Sequence, residues 1–187
     1  MKFDIDDSGI DQSFDAIAKE LINEHVLLIN DQEFQFTEIE FYYYNTGHQD
    51  MYTHRHLRRA GEWRIHNQGL DITLEGNNEK DGGILIRGLK YDSTDANGLK
   101  KVIYVNGPIK ALGALFESMG SVVNSSSIEL SKKNHGHKQI SKTFRHIPNK
   151  IQNKEFHFKK YRYFTDLELL DIGNPIKNKI KNDCFEL

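Results

Sequence analysis

The run Glu33-Phe34-Gln35-Phe36-Thr37-Glu38-Ile39-Glu40-Phe41-Tyr42-Tyr43-Tyr44 constrains this chain more than any other segment. A stretch so dense in aromatic and β-branched side chains is a poor helix and a good strand. Strand alternation puts Phe34, Phe36, Glu38, Glu40 and Tyr42 on one face and Ile39, Phe41 and Tyr43 on the other. Two carboxylates then stand among aromatic rings. If that face is buried, each must find a cationic partner or have its pKa raised, which is how a general base is tuned. If the strand is an edge with one face in water, both are merely solvated.

The segments around this strand read in order. Phe14, Ile17, Ala18, Leu21 and Ile22 recur at helical spacing, which predicts a helix over 12–24 with Asp11 as its N-cap. An apolar run at 26–29 and an Asn30-Asp31 turn follow. Residues 51–60 read as a loop or short helix. Residues 62–75 form a hairpin turning through Asn67-Gln68-Gly69. Strands are expected at 84–89 and 101–105, with turns at 76–83 and 92–98. Gly107-Pro108 opens a helix that runs to Met119 and closes at Gly120. Residues 121–150 are polar and weakly patterned and read as a long loop. A final bulged strand is expected at 154–165, alternating through Phe156, Phe158, Tyr161 and Tyr163.

At 187 residues and 21.7 kDa the chain has the size of one domain. Charged residues at 28% and hydrophobic ones at 37% exclude a membrane-spanning class, because no run reaches the roughly 20 apolar residues a span needs. An acidic N-terminus without an apolar signal core and a single cysteine, Cys184, point to a reducing cytoplasm. The net charge of −2 conceals a polarity: residues 1–99 hold 9 Lys/Arg against 19 Asp/Glu, and residues 100–187 hold 16 against 8. Residues 130–162 alone carry ten Lys/Arg opposed by Glu155. Such a segment suits either a polyanion partner or an ordinary solvated surface.

Arg87 lies within the apolar run Ile84-Leu85-Ile86-Arg87-Gly88-Leu89, so its guanidinium needs an acidic partner there. Glu38, Glu40, Asp71 and Glu75 are the candidates. His48, Asp50, His54 and His56 have metal-ligand chemistry in the spacing H-x-D-x3-H-x-H, which fits a metal-dependent hydrolase or a His-rich loop. There is no phosphate-binding Gly loop, no G-x-S-x-G elbow and no C-x-x-C pair. Cys184, near the end of the chain, is a poor nucleophile candidate.

Taken together these segments resemble the alkyladenine (3-methyladenine) DNA glycosylase family over residues 14–166. The family's A-x-x-L helix and E-T-E-A-Y strand are matched by Ala18-Lys19-Glu20-Leu21 and Glu38-Ile39-Glu40-Phe41-Tyr42. Asp50 and His54 match an aspartate four residues before a histidine, and Gln68-Gly69 falls on the Tyr-Gly of the hairpin. Leu85-Ile86-Arg87-Gly88-Leu89 resembles L-I-R-A-L, and Asn106-Gly107-Pro108-Ile109-Lys110-Ala111-Leu112 resembles S/T-G-P-x-K-L. Tyr161-Arg162-Tyr163-Phe164 resembles the closing R-F-Y strand.

The resemblance implies an α+β fold, a curved and mostly antiparallel sheet with a few flanking helices and long loops. It implies a monofunctional purine DNA glycosylase in which Glu40 activates a water against C1′ of a flipped nucleotide and Arg87 helps fix the water and Glu40. Tyr42 and His54 would line the base pocket. Three positions depart from the family: Gln68 replaces its intercalating tyrosine, Ile65 a pocket tyrosine and Glu75 its discriminating asparagine. Arg55, Arg58, Arg59, Arg64 and Lys110 would contact damaged double-stranded DNA, with no metal, no cofactor and a monomeric protein. The alternative is a non-catalytic protein of the same fold that binds nucleic acid or another partner through these arginines and residues 130–162.

Overall fold

A computed structural model describes residues 1–121, 123, 126–145, 147 and 155–166, together with the backbone of 185–186. Cys184 and the first residue of the expected 154–165 strand fall outside the described residues, as do parts of the 121–150 segment.

Helix α1 (Ile10–Glu24) runs into β1 (His25–Ile29), which turns through Asn30-Asp31 into the long strand β2 (Gln32–Asn45). Asn30 takes the positive φ of that turn, 52°. The N-cap of α1 is Gly9 rather than Asp11, which sits in the first turn. After β3 (His48–Gln49), residues 51–60 form no strand. The hairpin β4 (Trp63–His66) and β5 (Gly69–Thr73) follows. Strand β6 (Asp81–Thr94) is more than twice the expected length, and β7 (Lys100–Asn106) leads to α2 (Pro108–Ser118). The 121–150 segment contains β8 (Ile128–Lys132) and β9 (Ser141–Thr143), both unforeseen. A 3-10 turn (Glu155–His157) and the short β10 (Arg162–Phe164) replace the long final strand, leaving Phe156 buried and Phe158 exposed. The backbone of β11 (Phe185–Glu186) pairs with β9.

The main path of the sheet runs β11-β9-β10-β2-β6-β5-β4, and β1, β3, β7 and β8 pair at its flanks. Among the described residues every pairing is antiparallel. The result is an α+β fold built on a curled, half-barrel sheet. Among the described residues no helix is long and apolar enough to cross a membrane.

One face of the sheet carries the main core. Phe14 of α1 stacks on Phe41 at 4.4 Å and meets Tyr161 edge-on. Beside this apolar stripe runs a polar one. Tyr43, Tyr161 and Tyr163 donate their hydroxyls to Asp7, Asp11 and Asp15 at 2.6, 3.0 and 2.7 Å. Spacing of four residues puts these aspartates on one line along the helix and its lead-in. Burial, reinforced by the carboxylates, pushes all three hydroxyls up from their ordinary pKa.

The expected alternation along β2 fails at one place. Phe34 and Phe36 join Ile39, Phe41 and Tyr43 in the core cluster, whereas Glu38 and Glu40 turn to polar partners and Tyr42, only partly buried, packs at the cluster's margin. The pairing of β2 with β6 shifts twice, skipping Thr37 on one strand and Arg87 on the other. A bulge residue that keeps the direction of its neighbour inverts the parity of everything beyond it. Gly88 makes the double bulge possible, since an added Cβ would lie 2.5 Å from Thr37 Oγ1 and 2.9 Å from Glu38 Cβ. Gly88→Ala should therefore lower stability by about 1–3 kcal/mol. Urea midpoints should show part of that loss recovered in the Thr37→Ala background, where the nearest contact is gone.

Candidate active site

The double bulge aims Glu38 and Glu40 at two arginines from the neighbouring strands. Register puts Arg162 of β10 opposite Glu40, and Arg87 of β6 lies beside Glu38. Glu38 Oε1 accepts from Arg87 Nε and Arg162 Nη2, both at 2.6 Å. Glu40 Oε2 accepts from the Tyr42 hydroxyl at 2.7 Å and Arg87 Nη1 at 3.3 Å, and its Oε1 lies 3.6 Å from Arg162 Nε. Glu38 and Glu40 are 3% and 2% exposed. Two carboxylates this deep are tolerable because two guanidiniums make the set neutral. Of the four acids that could partner Arg87, Glu38 and Glu40 do so.

Burial by itself would raise the Glu38 carboxyl, but Arg162 and Arg87 outweigh it and hold the group below the usual range. Burial tends to lower the Arg87 guanidinium, and Glu40 and Glu38 more than reverse this. The Tyr42 hydroxyl is pushed well up, first by burial and then by the charge of Glu40. A second buried pair supports the first. Arg145 and Asp50, both with fully buried side chains, meet at 2.7 Å, and the guanidinium lies 4.6 Å from the Tyr42 ring centre.

Tyr42 has the carboxylate network behind it and a cleft in front. Tyr42, Tyr52, His54 and Leu85 line it together with Arg64, His66, Gln68 and Asp71 of the β4–β5 hairpin. The space between them is about 20 Å³, room for one water rather than for a nucleobase, whose pockets run to about 300 Å³ or more. Glu40 itself does not line this space; its neighbours Tyr42 and Leu85 do. His54 and Gln68 are exposed side chains at the rim. The His54 ring stands 5.6 Å from that of His66, and burial followed by the nearby His66 and Arg64 charges lowers its pKa.

Glu40, Arg87, Tyr42, His54 and Gln68 thus converge on one locality from four segments of the chain. Other candidates do not. Ile65 points outward at 55% exposure, because alternation on β4 sends it away from Arg64 and His66. Glu75 is solvent-facing and 3.7 Å from Lys80, outside the cleft. Lys110 is exposed on α2. Arg55 pairs with Asp81 and stacks on Tyr44, Arg58 lies 3.7 Å from Glu62, and Arg64 is turned into the cleft, where it donates to the His54 carbonyl. Arg59 is exposed.

The four residues suited to a metal are dispersed. His48 is held between the Tyr43 carbonyl and the Tyr161 hydroxyl, Asp50 belongs to Arg145, and His56 Nε2 meets the Gly82 carbonyl. Only His54 reaches the cleft, and among the described residues no three such side chains cluster as a metal site. The basic segment is also differently employed. Lys132, Lys133, Lys142, Arg145 and Arg162 pair with Glu24, Glu33, Asp15, Asp50 and Glu38 of the acidic half. The charge polarity of the sequence is to that extent neutralised inside the fold rather than offered to a partner.

The sequence does not single out Arg145, Arg162 or His66 as site residues, and it offers Asp71 only as a partner for Arg87. Alternation along Trp63-Arg64-Ile65-His66 and Leu70-Asp71-Ile72 carried a signal for the last two, since it separates the polar side chains from the apolar ones. Arg145 lies outside any strand and had no such signal. No protein-family model matches the chain, and neither does any curated protein or solved structure.

The depressed Glu38 pKa fixes the sign of a pH effect. Its stabilisation is complete above the unfolded glutamate pKa of about 4.3 and is lost as pH falls through the lower folded value. Glu38→Gln should cost about 3 kcal/mol at pH 7, since it strands buried guanidinium charge. Urea titrations from pH 6 downward should show a shallower acid decline for the variant than for the wild type.

Proposed function

We propose that this protein is a monofunctional purine DNA glycosylase, releasing an altered purine from a flipped nucleotide by water attack at C1′. One observation carries the reading. The Tyr42 hydroxyl donates to buried Glu40 at 2.7 Å while its ring lines the water-sized cleft. A water at the mouth of that cleft loses its proton through Tyr42 Oη to Glu40 Oε2 as its oxygen bonds to C1′. The C1′–N bond breaks, and the purine departs with the bonding pair. Glu40 is the ultimate base, Tyr42 the relay, and Arg87 with Arg162 fixes the carboxylate. The cleft must widen to admit a base. His54 and Gln68, both exposed, are the lining side chains free to withdraw.

A second reading, a non-catalytic protein of the same fold, is favoured by a different observation. Arg55, Arg58 and Arg64 each have an acidic partner, which among the described residues reduces the positive charge near the cleft that could hold phosphates.

Labelled duplexes carrying hypoxanthine, 1,N6-ethenoadenine or 7-methylguanine, assayed by strand cleavage after hot alkali, separate the two. The glycosylase reading expects release by the wild type and a rate roughly 10²–10⁴-fold lower for Glu40→Gln. Tyr42→Phe removes one hydroxyl from the network and should slow release comparably in a folded protein. Release by Glu40→Gln at the wild-type rate would rule out the mechanism. No release by folded wild type would favour the scaffold.

A further inference from the structure

The hairpin side of the cleft holds a charged group for which water attack has no use. Asp71 on β5 is directly opposite Leu85 on β6, which is itself opposite Glu40 on β2. Opposed residues share a sheet face, so the two carboxylates look the same way across two strand spacings of about 4.8 Å each, about 10 Å in all. One stands behind Tyr42, where C1′ would be attacked. The other stands where the far edge of an attached base would reach.

Asp71 is built in rather than solvated. Its side chain is 10% exposed. Oδ2 lies 3.0 Å from His66 Nε2 and 3.8 Å from Arg64 Nη1. Gly83 behind it leaves the space, since a Cβ there would stand 3.1 Å from Oδ2. His66 is fixed in turn, its Nδ1 accepting the Gln68 backbone N–H at 3.2 Å. The second oxygen, Oδ1, is buried without a hydrogen-bond partner. A buried carboxylate oxygen with nothing to accept is costly, and in a residue that lines a cleft it can accept from a bound donor.

We propose that Asp71 is the specificity-determining residue of the cleft, its free Oδ1 accepting the ring N–H of a 6-oxopurine such as hypoxanthine or a guanine derivative. This rests on the glycosylase reading and names its substrate class. A carboxylate accepts and cannot donate, so it favours a lactam N1–H and rejects a base with only acceptors or alkylated nitrogens on that edge. 1,N6-ethenoadenine is such a base. Sites built to hydrogen-bond one partner discriminate by leaving their own buried group unpaired with the other.

Equilibrium dialysis of the full chain against free hypoxanthine and free 1,N6-ethenoadenine tests this apart from turnover. The wild type should bind hypoxanthine roughly 10- to 100-fold more tightly, the worth of a hydrogen bond to a buried charge. Asp71→Ala, which has no acceptor, should lose most of that preference, and release from duplexes should show the same order. Equal binding of the two bases by wild type, or binding of neither, overturns the proposal without recourse to any variant. So does a preference that survives in folded Asp71→Ala. Selective, Asp71-dependent binding with no release from any duplex would instead defeat the glycosylase reading and leave the base-reading role intact.

Discussion

Two glutamates and two arginines, contributed by three adjacent strands, hold the middle of this protein together. Glu38 and Glu40 cannot be buried singly, and neither can Arg87 or Arg162; each is tolerable only with the others in place. That requirement locks the register of β10 against β2 and of β2 against β6, since a slip of one residue would send the glutamates into the aromatic core. It also explains the double bulge. Without Thr37 and Arg87 stepping out of the ladder, Phe34 and Phe36 would share the glutamates' face, and the core under α1 would lose two rings.

The same logic operates at the scale of the whole chain. An acidic N-terminal half and a basic segment at 130–162 look in sequence like a molecule with one sticky end. In the fold, β8, β9, β10 and the loop bearing Arg145 return to α1, β1 and β2, and the two charge sets meet. The exposed pairs among them add little individually. The buried ones, Arg145 with Asp50 and Arg162 with Glu38, are costly to break and so help specify which distant segments come together.

Legibility followed the range of the interaction. α1, the β4–β5 hairpin and the start of α2 were readable because apolar spacing, a glycine-bearing turn and a proline at N1 act within a few residues. β8 and β9 were not. They are three to five residues long, and their strand character comes from β1, β10 and β11 rather than from their own side chains. The candidate site divided in the same way. Glu40, Tyr42 and Arg87 stood out as charge or hydroxyl among apolar neighbours. Glu75 and Ile65 were misplaced because a fixed offset from the hairpin glycine does not say which way a side chain points.

The sequence by itself determined that β2 would be a strand, that its two carboxylates would need cations if buried, and that Arg87 would need an acidic partner from among four candidates. Those conclusions follow from side-chain chemistry and from a period of two. Only the tertiary structure decided that Arg162 completes the set, that Arg145 and Asp50 support Tyr42 from behind, and that Asp71 faces the cleft with an oxygen unpartnered. Each of these joins residues distant in the chain, and one bulge at Thr37 reversed the outcome of alternation. A parity rule carries no information about where the ladder skips, so which face received the charges was settled by packing.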